Sequence, residues 1–387
     1  MANLPSVLPV FLVDSFATKP GTGNPAAVCL VPFRAEVEGG ESDRYDREGD
    51  VFQLIAKEMN QSETVFVTPT RSEVSTTEPE FAIRWFSPTK EVILCGHATL
   101  AASHVLFSLK PDDGQNAATL SEFFVGDAKR ISFQNPLSGP LAVNKLPGDE
   151  RAATDGEGAK PSKSSAQYQL DFPRRKPSPI VLTEDLMDVL YRGLGLLRDV
   201  AASGDSAEED SSAVKPIIEE ILLHKESRKY LVVLTAEAAG QEGLTGVGRL
   251  RTIVPNIHML MEQFKPEVTP LSVTVTTRVI LQAPSTAEDA HHQLLPTLEN
   301  YDVASRHFAP WVGIPEDPVT GAAHVVLAPY WADRVGKNVL HCFQASPRGG
   351  SMVADISTSV VPADRIFLSG PATTVMRGVV DVSVAFQ

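Results

Sequence analysis

Three polar residues in short characteristic segments are the candidates for chemistry in this chain of 387 residues. Glu63 lies in the segment NQSETVFV, residues 60–67, between a helical stretch and a β-branched run. A carboxyl group at such a strand entry loses water on folding, which raises its pKa and suits it to general acid/base catalysis. A surface glutamate that caps a nearby group is the alternative, and it is the commoner one for an isolated Ser–Glu pair.

His97 and Asp317 are the other two candidates. His97 is predicted in the first turn of a helix, where the helix dipole favours a neutral imidazole that can shuttle a proton or donate a hydrogen bond. Asp317 precedes Pro318, which biases it to an extended conformation, and it could orient a substrate amine or hydroxyl. A histidine bonded to a nearby loop and an Asx-type turn are the structural alternatives.

A weak internal repeat surrounds two glycines. LCGHATLAASH at 94–104 and VTGAAHVVLAP at 319–329 both read as a strand end, a glycine and an apolar helix, and Gly96 aligns with Gly321. The first N–H groups of a helix have no partner within the helix, so two facing helix starts could bind a carboxylate or stabilise an enolate. Glycines that merely permit tight turns explain the same residues.

The three cysteines carry a separate hypothesis. Cys95 could be a reactive thiolate at a helix start, but the aligned position of the repeat is Thr320, a poor base, which disfavours a racemase with two thiols. Cys29 and Cys342 are predicted to pack in strands. An odd cysteine count without CxxC indicates a reducing compartment.

The sequence also lacks the motifs of common cofactor and metal sites. It has no zinc-site spacing, no glycine-rich motif for dinucleotides or phosphates, and no GxSxG nucleophile elbow of a serine hydrolase. We therefore predict no metal and no cofactor.

Charge excludes two classes of partner. The chain has 34 basic and 48 acidic residues, a net charge of −14, which argues against nucleic acid and against anionic membranes. No apolar run reaches the length of a membrane helix, and MANLPSVLPVFLVDSF predicts a first strand rather than a signal peptide. We therefore expect a cytoplasmic protein. Much of the negative charge lies in three segments that we predict to be surface loops: 34–50, 147–166 and 201–215.

Strand-like segments outnumber helical ones, and many follow each other with only a turn between, which favours an α+β fold with mixed sheets. Ten strands are predicted: 7–14, 26–31, 63–68, 82–86, 130–133, 139–144, 167–171, 230–235, 271–281 and 339–344. Five helices are predicted: 48–60, 98–107, 183–194, 253–263 and 322–333. The helix at 98–107 is apolar nearly all round and should be buried.

Six groups of motifs occur in one order along nearly the whole chain. They are DSF and GNPAAV within 14–28, NQSETVFV at 60–67, RWFSPTKEVILCGHATLAA at 84–102, LDFP at 170–173, FAP and GIPEDPVTGAAH within 308–324, and QASPRGG at 344–350. In this order they resemble the PhzF-like family of phenazine-biosynthesis isomerases. The CGHAT and EDPVTG segments together make the resemblance specific.

The resemblance implies a diaminopimelate-epimerase-like fold, α+β, in which two similar domains each wrap a mixed, barrel-like sheet around a central helix. It further implies an active site in the cleft between the domains. We accordingly expect domains at 1–146 and 167–375 with their central helices starting near 98 and 322. The segment 147–166 is expected to be a linker or insertion, and a last strand at 376–387 to return to the first domain.

The resemblance also implies roles for individual residues. Glu63 would be the acid/base that moves a proton, His97 and Asp317 would assist it, and the backbone around Gly96 and Gly321 would hold the substrate carboxylate.

One departure from the family is Ala322, which replaces a serine that would donate a hydrogen bond to the substrate. The expected activity is thus a cofactor-independent isomerase acting on a small carboxylic or enolisable substrate that differs from that of the phenazine enzymes. The expected partner is that small molecule, and a homodimer with a second copy of the chain remains open. A racemase, an epimerase, a C–C hydrolase and an inactive binding protein remain alternatives.

Overall fold

The computed structural model describes the chain in ten stretches, and it divides into two compact units. Unit 1 comprises Met1–Phe172 with Phe367–Gln387, and unit 2 comprises Pro173–Ile366. Across the described stretches, the helices are all too short or too polar to cross a lipid bilayer. The described residues are 5–34, 40–110, 117–147, 166–181, 183–196, 217–237, 245–265, 268–280, 300–359 and 362–383.

Seventeen strands and seven α-helices are numbered here in chain order within the described residues. The strands are β1 (Val7–Ser15), β2 (Asn24–Leu30), β3 (Glu63–Pro69), β4 (Glu80–Phe86), β5 (Glu91–Val92), β6 (Arg130–Gln134), β7 (Leu141–Leu146), β8 (Gln167–Pro173), β9 (Ser178–Pro179), β10 (Ile218–His224), β11 (Lys229–Leu234), β12 (Ser272–Arg278), β13 (Val303–Ala309), β14 (Ile314–Asp317), β15 (Val339–Gln344), β16 (Gly350–Asp355) and β17 (Arg365–Asp381). The helices are α1 (Gly40–Met59), α2 (Gly96–Ser108), α3 (Ala117–Ser121), α4 (Glu184–Gly193), α5 (Gly246–Thr252), α6 (Ile257–Gln263) and α7 (Gly321–Val335).

In unit 1 the sheet closes into a barrel. β1 pairs antiparallel with β2, β2 runs parallel to β3, β3 pairs antiparallel with β4, and β4 runs parallel to β6. The antiparallel strands β7 and β8 follow, and β17 pairs with both β8 and β1. Because the first and last strands of the series share β17, this sheet has no free edge around the ring, as closure requires.

The central helix α2 fills this barrel. It packs against β1, β2, β3 and β7, and Leu100, Ala101, Val105 and Leu106 are at most 2 % exposed. Its buried polar groups are paired within the helix or with the sheet: Thr99 Oγ1 accepts a hydrogen bond from Trp85 Nε1 at 3.1 Å. The predicted burial of this helix is confirmed.

Helix α1 covers the outer face of the same strands. Phe52 stacks on Phe66 of β3, with ring centroids 4.0 Å apart, and Phe86 of β4 meets both rings edge-on. Strands β1 to β3 are therefore covered on both faces, which explains their nearly continuous apolar sequences.

The prediction of a loop at 34–50 is wrong for residues 40–50, because α1 begins at Gly40. The acidic composition suggested a solvated segment, yet Glu48 is buried and pairs with Arg34, and Tyr45 donates a hydrogen bond to Glu91. Most of the 147–166 segment and all of the 201–215 segment lie outside the described residues.

The strands of unit 2 also pair in a mixed, parallel and antiparallel arrangement. β9, β10, β11, β12, β13, β15 and β16 pair in that sequence, with β11–β12 and β13–β15 parallel and the other pairs antiparallel, while β14 pairs with β13. The central helix α7 packs against β11, β12, β15 and β16. Leu250, Leu260, Val275 and Phe308 belong to the core that α4, α5 and α6 build with this sheet.

The predicted α+β class is confirmed, and each of the ten predicted strands corresponds to one in the structure. The sequence reading missed β5, β9, β10, β13, β14, β16 and most of β17. It also started the helix at 253–263 too early, since α5 ends at Thr252 and Asn256 caps a separate α6 by accepting a hydrogen bond from the Met259 amide. The chain leaves unit 1 at Phe172, after β8 has paired with β7.

Replacing Leu100 by Ala should lower the free energy of unfolding by about 2–5 kcal/mol, because it leaves a cavity in the centre of the unit 1 barrel. Urea denaturation measures the loss. Leu54→Ala makes the same chemical change at an exposed position of α1 and should cost less than about 1 kcal/mol. Equal losses in the two variants would show that α2 is not the packing centre of its unit.

Candidate active site

A sharp turn carries Glu63 to the start of β3. Asn60 follows α1 in the left-handed conformation, with a φ of 48°, which asparagine tolerates better than most residues. The Ser62 hydroxyl donates to the Pro25 carbonyl at 3.3 Å and so ties this turn to β2. Glu63 then lies beside Ala26 of the parallel strand β2, and its backbone is held by the sheet rather than by a loop.

Glu63 is a buried carboxyl group with a raised pKa. Its exposure is 8 %, and loss of water on burial raises its pKa above the ordinary 4.5, while a hydrogen bond from Ser62 opposes part of the rise. The direction predicted from the sequence is confirmed. The pH range in which Glu63 is partly protonated therefore moves towards neutral. A group that both accepts and releases a proton in catalysis needs such a pKa.

His97 lies between polar groups on both sides of its ring. Its Nε2 is 3.4 Å from Glu63 Oε2 and 3.3 Å from Ser62 Oγ. Its Nδ1 is 3.2 Å from Asn24 Nδ2 and 3.4 Å from Cys95 Sγ. If the Asn24 amide donates to Nδ1, the neutral ring carries its proton on Nε2, directed at Glu63 and Ser62.

Two adjacent strands of unit 1 fix this histidine. Ser15 and Asn24 are paired residues of β1 and β2, and both are fully buried. Ser15 Oγ donates to the His97 carbonyl at 2.7 Å, while Asn24 contacts the ring. The backbone and the side chain of His97 are thus held by the same strand pair.

The turn between these strands depends on Gly23. It has a positive φ of 67°, and a Cβ atom on it would lie only 2.2 Å from the Ser15 carbonyl oxygen. Gly21 also has a positive φ, of 86°, but a Cβ there would meet nothing within 4 Å. Its amide donates to Asp14 Oδ2 at 2.8 Å. Of these two glycines, Gly23 is therefore the one that combines conformational strain with a steric requirement for glycine.

Helix α2 begins beside Glu63 and His97. Cys95 occupies its N-cap position in an extended conformation without making a side-chain capping bond. Gly96 comes next, and a Cβ on it would lie 3.1 Å from the Phe172 ring, so the backbone at this helix start passes close to β8. The first amide groups of a helix have no acceptor within the helix and carry partial positive charge, which suits them to a carboxylate or an enolate.

A buried ion pair supports the segment in front of α2. Arg84 of β4 makes two parallel hydrogen bonds to Glu91, both 2.8 Å long. Arg84 Nη1 also donates to the Tyr45 carbonyl, and its guanidinium stacks on the Tyr45 ring at 3.6 Å. The guanidinium joins β4, β5 and α1 directly ahead of the helix start.

Unit 2 contains the other candidates. Thr320, the N-cap residue of α7, donates its hydroxyl proton to Asp317 Oδ2 at 2.5 Å. The Gln344 amide makes three bonds across the same turn: Oε1 accepts from the Thr320 amide at 2.8 Å, and Nε2 donates to the Asp317 carbonyl at 2.6 Å and to Thr320 Oγ1 at 3.3 Å. Ser346 Oγ donates a hydrogen bond to the Pro318 carbonyl at 2.8 Å. The turn before α7 is therefore built by side chains from β15 and the residues after it.

Another buried ion pair supports this second helix start. Arg306 of β13 makes two hydrogen bonds to Glu316 of β14, of 2.8 and 2.7 Å, and its Nη1 donates to the carbonyls of Leu250 and Ile253. Glu316 precedes Gly321 by the same spacing as Glu91 precedes Gly96. The internal repeat thus extends from the sequence to the supporting ion pair.

The two halves of the repeat differ at His97, the candidate catalytic residue of the first half. Thr99 Oγ1 and His324 Nδ1 each bond the carbonyl of their own N-cap residue, at 2.6 and 2.7 Å. The residue aligned with His97, however, is Ala322, which is exposed. Unit 1 therefore gathers Glu63, His97 and Gly96 into one cluster, while unit 2 presents a helix start flanked by Asp317, Gly321 and Ala322.

Three residues that hold these sites were not singled out from the sequence: Ser15, Asn24 and Gln344. Asn24 and Gln344 lie in GNPAAV and QASPRGG, two of the motifs quoted above. The features of the sequence that could have identified them are a polar Asn at the start of a strand and a polar Gln at the end of one. Their partners lie 73 and 24 residues away, so spacing could not identify them.

Comparison with known proteins gives consistent matches. The model of the family described as phenazine biosynthesis-like protein, PhzC-PhzF, matches residues 13–127 and 255–378. A phenazine biosynthesis-like domain-containing protein from Rattus norvegicus is 32 % identical, with 96 % of this chain and 98 % of the relative covered. A protein from Halalkalibacterium halodurans named an uncharacterized isomerase is 30 % identical, with 95 % and 97 % covered.

Solved structures agree with these matches. The crystal structure of a phenazine biosynthesis protein of the PhzF family from Enterococcus faecalis aligns with a TM-score of 0.61 and 27 % sequence identity. The alignment covers 97 % of this chain and 99 % of that one. The similarity therefore extends over both units.

Gly23→Ala should destabilise the protein more than Gly21→Ala. Both changes place a side chain at positive φ, which costs about 1 kcal/mol, but only the first drives a methyl group into the Ser15 carbonyl. Thermal unfolding of the two variants measures the difference. Similar melting temperatures would contradict the steric requirement at Gly23.

Glu63→Gln should raise stability at neutral pH and lose this advantage on acidification. Since the pKa of Glu63 is raised on folding, the native state binds more protons than the unfolded state above about pH 4.5, and wild-type stability falls as pH rises through this window. The glutamine variant lacks that fall. Denaturant unfolding between pH 4.5 and 8 measures it, with Glu58→Gln, an exposed change on α1, as the control. A stability difference that does not vary with pH would contradict a raised pKa.

Proposed function

The chain belongs to the phenazine biosynthesis-like protein family, and we propose that it is a cofactor-independent isomerase that moves a proton, and with it a double bond, in a small carboxylic or enolisable substrate. The isomerase class is supported by the relative from Halalkalibacterium halodurans that bears the name isomerase. The observation that carries the mechanism is the buried Glu63 carboxyl beside His97 and the start of α2.

Glu63 is the proton carrier in this proposal. Its carboxylate takes a proton from a carbon next to an electron-withdrawing group, and the electrons of the broken C–H bond form a new double bond. The neutral carboxyl then returns the proton to the far end of the conjugated system. The substrate is neither oxidised nor reduced, and Glu63 ends in its starting state. A raised pKa favours both halves of this cycle because Glu63 must accept and release the proton near neutral pH.

His97 and the first amides of α2 assist. With its proton on Nε2, His97 donates towards Glu63 Oε2 or towards an oxygen of the substrate, and Asn24 keeps the ring in this orientation. The amide groups around Gly96 are proposed to stabilise negative charge on a substrate carboxylate or enolate. Catalysis needs no reorganisation of these groups because the barrel holds the backbone that carries them.

The second helix start contributes substrate binding. Asp317, fixed by Thr320 and Gln344, is proposed to orient a polar group of the substrate, and the amides near Gly321 to bind an anionic one. Ala322 supplies no hydroxyl where the family has serine. A hydrogen bond to a charged group is worth roughly 1.5–3 kcal/mol, so the substrate should differ at the group that this serine would contact. That both helix starts serve one substrate stays a prediction.

An epimerase or racemase that uses Cys95 is the second candidate. The observation that favours it is the 3.4 Å separation of Cys95 Sγ from His97 Nδ1, because a neutral imidazole can accept the thiol proton and leave a thiolate. This enzyme would invert a stereocentre and leave the double bonds in place. A C–C hydrolase and an inactive binding protein stay as outcomes of the experiment below.

The wild-type protein should incorporate solvent deuterium into one member of a panel of unsaturated carboxylic acids, with a shift of the double bond detected by proton NMR. Glu63→Gln keeps the size and hydrogen-bonding capacity of the side chain but cannot cycle a proton, so the rate should fall by about 10²–10⁴-fold. His97→Ala and Asp317→Ala should lose less if they only orient the substrate. Glu58→Gln should exchange at the wild-type rate.

The outcomes separate the candidates. Exchange that persists in Glu63→Gln but is lost in Cys95→Ser, with inversion and no double-bond shift, would assign an epimerase or racemase. Cleavage products would indicate a hydrolase. Binding of panel members without exchange in the wild-type protein would indicate a binding protein and overturn the proposal.

A further inference from the structure

Three side chains of different chemistry converge at the start of α2. Glu63 offers a carboxylate oxygen, Cys95 a sulfur and His97 a ring nitrogen, and these atoms all lie within 4.8 Å of one another. Each residue is at most 8 % exposed. Over the stretches of chain that the structure describes, no other three histidine, cysteine or acidic residues meet in this way. The proposed proton transfer does not use the Cys95 thiol.

This donor set is the one that zinc-class cations prefer. Zn²⁺ binds thiolate at about 2.3 Å and imidazole or carboxylate at about 2.0–2.2 Å, so donor atoms around a tetrahedral ion lie roughly 3.3–3.8 Å apart. Glu63 Oε2 lies 3.4 Å from His97 Nε2, and Cys95 Sγ lies 3.4 Å from His97 Nδ1. The first of these separations has the length that such an ion needs, and the second shows that the Cys95 sulfur lies beside the same ring, at its other nitrogen.

A single ring nitrogen must serve the ion. Nε2 is the better placed because it faces Glu63, whereas Nδ1 faces both Asn24 and the Cys95 sulfur. If the Asn24 amide turns over, its oxygen accepts a hydrogen bond from Nδ1–H, which is the kind of orienting contact that metal-bound histidines usually have. Cys95 Sγ, which lies within 4.8 Å of the other donor atoms, then reaches the ion by a rotation of its side chain.

The charges balance when the ion binds. The Cys95 thiol releases its proton to the buffer, and the thiolate together with the Glu63 carboxylate neutralises the two positive charges. A buried ion whose charge is fully matched by its ligands avoids most of the cost of leaving water. Three protein ligands leave the fourth position of a tetrahedral ion open to water or to a carboxylate.

We propose that Glu63, Cys95 and His97 form a binding site for a zinc-class divalent cation, and that the bound cation inhibits the enzyme by occupying the carboxylate that carries the proton. The binding stands on the geometry of the three donors alone. The inhibition rests on the proposed function, because it requires Glu63 to be the proton carrier.

Cobalt(II) is the probe for the binding. Added to the reduced wild-type protein, Co²⁺ should produce a thiolate-to-metal charge-transfer band in the near ultraviolet that saturates at one equivalent, and Zn²⁺ should remove it by displacement. Cys95→Ser should abolish the band and weaken Zn²⁺ binding by about tenfold or more. Cys29→Ser changes another buried cysteine of unit 1 and should leave both unchanged. Absence of the band in the wild type, or its survival in Cys95→Ser, overturns the site.

A measurement on the wild-type protein covers the case in which Cys95→Ser does not fold. X-ray absorption of the zinc-loaded protein should show one sulfur and two or three nitrogen or oxygen neighbours at bonding distance, and a spectrum without sulfur overturns the site. Zn²⁺ should also stop deuterium exchange in the assay above. Zn²⁺ that binds without slowing exchange overturns the inhibition. A protein that binds Co²⁺ but catalyses no exchange contradicts the proposed function and leaves the site standing.

Discussion

In each unit a buried arginine holds a glutamate of the short strand in front of the central helix, and the position of the helix start depends on this pair. Arg84 with Glu91 and Arg306 with Glu316 form two-bonded ion pairs whose arginines are almost fully buried. Removing one partner of such a pair leaves an uncompensated buried charge, which typically costs about 3–5 kcal/mol. The pairs therefore act as fixed supports, and the amides at the start of α2 and α7 occupy positions that the strands determine.

On this repeated support the two units differ in chemistry. Unit 1 places a carboxyl group, an imidazole and a thiol around the start of α2, whereas unit 2 has Ala322 where unit 1 has His97. In unit 2 the turn before α7 is instead held by Gln344, whose side-chain amide forms hydrogen bonds with both the backbone and the hydroxyl of Thr320. In the proposed isomerase the groups of unit 1 would exchange the proton, while Gln344 holds the turn of unit 2 in place.

The sequence predicts the parts of this site that depend on local pattern. The apolar run after Glu63 predicted both its strand and its buried carboxyl, and the uniformly apolar segment after His97 predicted a central helix. The contacts of Asn24 and Gln344 could not be predicted, because they depend on which strands become neighbours. The prediction for residues 40–50 was wrong for a related reason: charged residues are solvated in isolation, and distant partners such as Arg34, Arg84 and Glu91 make this segment part of the fold.

The closure of the unit 1 barrel by β17 has a consequence for synthesis of the protein. β1 and β8 are complete early in translation, yet the strand that lies between them consists of residues 365–381. At about 5–20 residues per second, the ribosome needs further time to make all of unit 2 before that strand emerges. During this interval two edges of an otherwise finished sheet remain unpaired, and unpaired edges invite association with other chains. Unit 1, although first to be made, is the last to be completed.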